Sequence, residues 1–578
     1  MAPYSYRPLQ DGQFRLVEII PGRGHLNIRL HERKLEQASP FSFLSYAWGN
    51  AFDLHSLECD GNQMRIREHL RNFLLEFRRR HQGYLLFIGE ISINQEDINE
   101  KVLQLQMLPQ INRKAMSTFC WVDAPEPDRV SRLIANLCWI SRLTPLSNYF
   151  LPYRNHDPCR SGSKITSEQL GLFQSETEDV GPELWEALNT FLGDKYFQRI
   201  WITLDWYWSK DLRFMCRGIT ISWDELCLAL GACFRFSFRN RLTSIGFFNL
   251  LVMDLVRKRY LLHQVRPTLY EILSTWHSCR FDAVDLKDKL FAPLNIVQEG
   301  YGHNGIAVDY SKTMEESYLR AASALGVLSL SLAKGPSLTL PTTSWVPDWN
   351  ATRDHLLLSQ SDTRFTGSPE IQPDVFTDLP RRALQCRGIV ADRIKKTCSW
   401  LPPRRPCDHY ILGGNSTLFD EWFEFAKGHA RRSKRSPYDE TKLLFQFAET
   451  IQARGANTIW ETEWDESSIS NRMRNFLEFL NEEEEDAAVT LETRLFYAAC
   501  FPSHGHRFGI TERGYYCLLP QEAKPADLVC IIYGNNVPIL LRQHTSHYQN
   551  LGECYVNGLM HYDATVLGDC QEFMFIIM

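Results

Sequence analysis

Residues 41–50, FSFLSYAWGN, set two hydroxyls, an indole face and a glycine at the end of an uncharged apolar run. Ser45 and Tyr46 can donate and accept hydrogen bonds, Trp48 offers a stacking face, and Gly49 lets backbone approach a ligand closely. Such a set suits a binding site; the same run also reads as a core strand closed by a turn glycine. Further on, GEISINQ at 89–95 supplies an acid, Glu90, followed by the amides of Asn94 and Gln95. Those amides can serve a ligand or their own backbone in a turn. KYFQRIWITLD at 195–205 is dense in aromatics and ends on Asp205. Trp48 and Trp201 fit either a core or a stacked nucleotide, and Glu100 with Arg199 reads as a structural ion pair.

Other chemistries find less support. His504-Gly505-His506 and the pair His544 and His547 have spacings that could hold a metal, but no acid or cysteine cluster accompanies them, so no metal site is expected. There is no G-x-x-x-x-G-K-[ST] stretch and no G-x-S-x-G, which argues against a P-loop NTPase or an α/β-hydrolase.

The elements that must position these residues alternate along the first part of the chain. Strand patterns at 14–20 and 26–30 form an N-terminal hairpin, and a second hairpin at 57–66 turns on Asp60-Gly61. Leu70, Phe73, Leu74 and Phe77 recur at helical spacing over 68–80. YLLFI at 84–88 is a buried strand, 89–95 a loop, 96–115 a helix, 118–122 a strand and 133–143 a further helix. This alternation predicts a parallel sheet with helices on its faces, where ligands bind at the carboxyl ends of the strands.

The later chain changes character. Residues 145–181 and 353–378 read as polar loops, 223–260 and 269–277 as helical, and 383–394 as a strand pair around Gly388. A cationic run at 427–436 and an acidic run at 482–486 read as solvated helix ends or linkers. From Phe508 onward short strands recur between turn residues, as in a small antiparallel sheet or barrel.

Bulk properties bound the class. The 578 residues allow roughly three or four domains. Hydrophobic content of 44% and aromatic content of 12% suit sizeable cores. With 63 basic and 69 acidic side chains the net charge is −6, which gives no support to nucleic-acid binding. No apolar run is long enough for a membrane helix, and the first residues lack a signal-peptide core, so a soluble cytoplasmic protein is expected. The 16 cysteines form no C-x-x-C pair and sit in apolar contexts, as reduced buried thiols do.

Several motifs, taken in order, resemble the fungal heterokaryon incompatibility (HET) domain. LSYAWG at 44–49 is similar to the family's opening Ser-Tyr-x-Trp-Gly. FIGEISINQEDINEK at 87–101 resembles its Trp-Ile-Asp-x-x-Cys-Ile-Asn-Gln block, FCWVD its next strand, and YFQRIWITLD its Trp-Phe-x-Arg-x-Trp-x-x-Gln-Glu. DLKDKLFAPLNI, VDYSKT, SWVPDW and the tail RFGITERGYYCLLP with GECYVNGLM resemble segments that follow the domain in many members. The resemblance implies an α/β fold: a TIR/flavodoxin-like parallel sheet with helices on both faces, then a helical region and a small β-rich C-terminal domain. The corresponding layout is an N-terminal hairpin at 1–40, the HET (TIR-like) domain at 41–210, a helical region at 211–350, a mixed connecting region at 351–495 and a β-rich domain at 496–578.

Some TIR domains cleave NAD at its glycosidic bond with a glutamate, and the resemblance aligns that glutamate with Asp205. It implies NAD as a substrate and no resident cofactor, with Asp205 and Glu90 as the catalytic acids. Ser45, Tyr46, Trp48, Gly49, Asn94, Gln95 and Trp201 would bind the nucleotide. The departures concern the chemistry: Gly89 replaces the family's Asp, Ser92 its Cys, Leu204-Asp205 its Gln-Glu and Asn557 a tail His. Glu90 can substitute for the lost acid only if the loop is irregular, because neighbouring strand residues face opposite ways. Two readings follow: an effector of self/non-self recognition and cell death acting through NAD, or a catalytically degenerate binding or regulatory module. The implied partners are an unknown protein sensing non-self and further copies of the chain.

Overall fold

The computed structural model describes residues 2–143, 181–235, 244–297, 308–335, 343–351, 374–403, 416–432, 439–453, 466–480, 500–561 and 570–578, apart from 23, 50, 51 and 82, together with 242, 306, 358, 365, 366 and 368. The expected acidic run at 482–486, almost all of the loop expected at 145–181 and most of that at 353–378 lie outside the described residues. The chain divides into two compact units, the first holding residues 1–150, 161–266 and 280–296, the second the remainder.

The first unit is built on a nine-stranded sheet. Its strands are β1 (Gln13–Ile19), β2 (Asn27–Lys34), β3 (Ser42–Tyr46), β4 (Leu54–Cys59), β5 (Asn62–Arg67), β6 (Leu85–Ile88), β7 (Thr118–Trp121), β8 (Leu212–Cys216) and β9 (Ile219–Ser222). In space they run β5-β4-β2-β1-β6-β3-β7-β8-β9. The middle four, β6, β3, β7 and β8, are parallel. Numbered by their own order in the chain, they lie 2-1-3-4 across the sheet. The sheet as a whole is mixed, which corrects the expectation of a purely parallel one: β1 runs antiparallel to β6, and β8 antiparallel to β9. The N-terminal hairpin is therefore an extension of this sheet. The helical stretch expected after residue 210 opens instead with β8 and β9, strands of only five and four residues.

All five residues of β3 are buried, as a strand covered on both faces requires. Alternation sends Leu44 and Tyr46 to one face, where they meet Leu70, Phe73, Leu74 and Phe77 of helix α1 (Glu68–Arg80). Burying each such side chain contributes roughly 1.5–3 kcal/mol. Three arginines in the last turn of α1 complement its dipole. Phe41 and Phe43 go to the other face and pack with Ile111. The loop expected at 89–95 begins with a short helical turn, α2 (Gly89–Ser92). Ile111 belongs to α3 (Ile98–Lys114), whose N-cap Asp97 accepts from the amides of Asn99 and Glu100. Helices thus cover both faces. A helix at Pro127–Leu143, α4, follows β7.

Among its described residues the second unit carries nine further strands: β10 (Val375–Asp378), β11 (Ala383–Trp400), β12 (His506–Thr511), β13 (Tyr516–Pro520), β14 (Leu528–Ile532), β15 (Ile539–Gln543), β16 (Tyr548–Glu553), β17 (Tyr555–Val556) and β18 (Glu572–Ile577). Strand β11 is continuous over 18 residues, not a pair broken at Gly388. It closes a five-stranded barrel by pairing with both β14 and β18. Gly388 is required where β14 crosses: a Cβ there would sit 2.3 Å from the Ile531 carbonyl oxygen. Helices Ser416–Arg432, Glu440–Ile451 and Glu466–Leu480 place Trp422, Phe447 and Phe476 in one core with Phe508 and Tyr516. Every described cysteine is a free thiol, and all but Cys570 are buried. No described helix is long and apolar enough to cross a membrane.

Candidate functional site

The carboxyl ends of β3 and β7 lie side by side, with Ser45 opposite Cys120 and Tyr46 opposite Trp121. After β3 the chain crosses to β6 on one side, and from β6 it returns to β7 on the other. This reversal is where open α/β sheets leave a ligand crevice.

On the face of Phe41 and Phe43, the Ser45 hydroxyl donates to Asp205 Oδ2 at 2.6 Å. Asp205 belongs to the short helix Ile202–Trp208, and its backbone carbonyl accepts from Asn112 Nδ2 of α3 at 3.3 Å. Behind Ser45 stands Tyr196, its hydroxyl 3.0 Å from Ser45 Oγ. The Trp206 indole donates to that phenol at 2.9 Å. With Ser45 donating to the carboxylate, the donors line up Trp206 to Tyr196 to Ser45 to Asp205. Burial pushes the Asp205 carboxyl up to about 7, although the Ser45 hydrogen bond, the Arg199 charge and Asn112 all pull it down. A carboxyl at that value exchanges a proton near neutrality, as a general acid or base must. Burial also holds the Tyr196 hydroxyl well above the ordinary phenol range.

On the opposite face, the Tyr46 hydroxyl donates to Glu90 Oε2 at 2.6 Å. The Arg67 backbone amide reaches Glu90 Oε1 at 3.2 Å, and the Arg67 guanidinium reaches Oε2 at 3.2 Å. Arg67 also lies 4.8 Å over the Trp48 ring. Burial first, and the neighbouring Glu90 charge second, raise the Tyr46 phenol. Arg199 Nη1 donates to the Tyr46 carbonyl at 3.0 Å. Gly49 is left-handed at φ 73°, and a Cβ there would lie 3.3 Å from the His69 Cβ; a side chain at this turn would be strained.

The structure therefore brings Ser45 to Asp205 and Tyr46 to Glu90, but separates the two acids. Ser45 and Tyr46 are consecutive on β3, so their carboxylate partners fall on opposite faces of the sheet. Trp48 and exposed Gly49 stand at the end of β3. Asn94 and Gln95 are used locally: Asn94 Oδ1 accepts from the Glu96 amide at 3.2 Å, and Gln95 Nε2 donates to the Gly89 carbonyl at 2.9 Å. Trp201 donates to Asp288 at 2.9 Å. Glu100 pairs with Arg15, at 2.6 Å and 3.0 Å, and not with Arg199.

Tyr196, Arg67 and Asn112 are site residues that the sequence reading did not single out. Tyr196 carried a signal, lying inside the same aromatic motif as Asp205. Arg67 and Asn112 carried none, since each looks like an ordinary polar residue at a strand or helix end.

Residues 41–204 match the family described as heterokaryon incompatibility protein (HET). Residues 419–576 match the Het-6 beta-barrel domain. The chain is 20% identical to heterokaryon incompatibility protein 6, OR allele, of Neurospora crassa, over 92% of this chain and 91% of that protein. No solved structure matches the chain significantly.

Proposed function

The chain belongs to the fungal HET-domain proteins, and from that premise we propose that it is an effector of self/non-self recognition that triggers cell death by cleaving NAD. Asp205 is the catalytic carboxylate in this reading. The observation that carries it is the hydrogen bond from Ser45 to Asp205 at the carboxyl end of β3, on a carboxyl held near 7. The 2-1-3-4 order of the parallel strands supports a TIR-like domain, being the start of the flavodoxin-like order. Loss of nicotinamide leaves positive charge on the ribose, as in glycoside hydrolysis, and a carboxylate near the ribose stabilises it. Gly49 offers an open backbone at the end of β3.

The test is nicotinamide release from NAD by the purified full chain, with and without clustering through a fused dimeriser. Release by the clustered protein and its loss in Asp205→Asn is the expected result. No release under either condition overturns the enzymatic reading.

A second reading is a catalytically degenerate HET-fold binding module. Two observations favour it. Glu90 is engaged by Tyr46 and Arg67, and Gly89 stands where the family has its acid. Under this reading, Asp205→Asn triggers death in fungal cells as well as the natural chain does. Restoring Gly89→Asp with Asp205→Glu then brings no gain in toxicity.

A further inference from the structure

Helix α3 packs one side into its unit: Ile111 joins the cluster of Phe41 and Phe43, Gln104 donates to the Gln13 carbonyl, and Asn112 donates to the Asp205 carbonyl. Its other side carries a row of apolar residues facing water. Ile98 is 75% exposed, Val102 49% and Leu105 38%, and half-buried Pro109 continues the row. The spacing 98, 102, 105, 109 advances by four, three and four residues, which keeps all four within one narrow stripe of a helix. Single exposed apolar side chains need no explanation, but a stripe at seam spacing is what a second helix covers.

We propose that this stripe is a self-association surface on which α3 of a second copy docks antiparallel about a two-fold axis. The spacing is palindromic about a point between Leu103 and Gln104. An antiparallel copy centred there sets Ile98 against Pro109 and Val102 against Leu105, and each pairing occurs twice, as a two-fold interface demands. The charges agree with this direction. Exposed Glu96 and Asp97 flank the amino end of α3, and exposed Arg113 and Lys114 form its carboxyl end. The antiparallel arrangement sets each acidic end beside the basic end of the other copy, and the helix dipoles oppose favourably. A parallel arrangement would set like charges together. One helix pair buries less surface than a permanent dimer needs, so the association is weak and concentration-dependent. It bears on the site directly, because Asn112 of the same helix holds the backbone of Asp205 at 3.3 Å.

The experiment is sedimentation velocity of the full chain across the micromolar range, with circular dichroism to confirm folding of each variant. The natural chain shifts from monomer towards dimer as concentration rises. Leu105→Glu, at a solvent-facing position, keeps its fold and weakens dimerisation by about tenfold or more. Glu96→Lys and Arg113→Glu each weaken it, and combining them in one chain restores it. A chain carrying Val102→Cys mixed with one carrying Leu105→Cys gives, on mild oxidation, the mixed disulfide dimer in excess over either homodimer, a pairing preference that nonspecific cross-linking of misfolded chains lacks. A natural chain that stays monomeric throughout, or a Leu105→Glu chain that dimerises as the natural one does, overturns the proposal. Neither result depends on NAD turnover.

Discussion

Ser45 and Asp205 stand 160 residues apart in the chain and 2.6 Å apart in the fold. The serine is the last residue but one of β3, and the aspartate sits on a helix that arrives only after four further strands, β4 to β7, have been laid down. The bond fixes at the end of β3 a carboxyl that burial raises to about 7.

Removing the donor tests the bond itself. Ser45→Ala strips Asp205 of a hydrogen bond that favours its charged form, so the carboxyl rises further above about 7. The expected loss of stability is about 1–2 kcal/mol, measured by urea unfolding at neutral pH. Carbon-13 chemical shifts of the labelled aspartate carboxyl, followed against pH, report the upward displacement.

The pH dependence of stability carries a definite sign. The Asp205 carboxyl is raised from 3.8 to about 7 in the folded protein, so between those values the folded state binds the extra proton. Its contribution is fully present below pH 3.8 and is lost as pH rises through about 7. Asp205→Asn removes this slope. The variant gains on the natural chain by up to a few kcal/mol as pH rises across the window, and parallel unfolding curves at several pH values measure the difference.

Arg15 is fully buried and its guanidinium forks onto both oxygens of Glu100, with further bonds to the carbonyls of Ser92 and Arg7. Glu100→Gln leaves a buried cation without its counter-charge, at an expected cost of about 3–5 kcal/mol. Replacing both partners by apolar residues of similar volume costs much less, and a double-mutant cycle by denaturant unfolding separates the two outcomes.

Gly388→Ala addresses the barrel. Its Cβ would meet the Ile531 carbonyl oxygen at 2.3 Å, and that oxygen belongs to a paired strand that cannot swing aside. The expected loss is about 3 kcal/mol or more. Hydrogen exchange locates it: amides of β11 and β14 lose protection, while those of β3 and β7 keep theirs.

Much of this architecture was legible along the chain because it depends on neighbours. FSFLSYAWGN announces a buried strand closed by a turn, the 3.6-residue recurrence of Leu70, Phe73, Leu74 and Phe77 announces α1, and the turn-punctuated tail announces a small antiparallel sheet or barrel. Those patterns are local, and burial of apolar surface enforces them wherever the segment ends up. Partner choice is not local. Glu100 faces Arg15 and not Arg199, Glu90 answers Tyr46 while Asp205 answers Ser45, and β11 runs unbroken through Gly388. Each of these rests on which strands lie side by side and on a single step of side-chain alternation along β3. No spacing in the chain encodes that step until the sheet has formed.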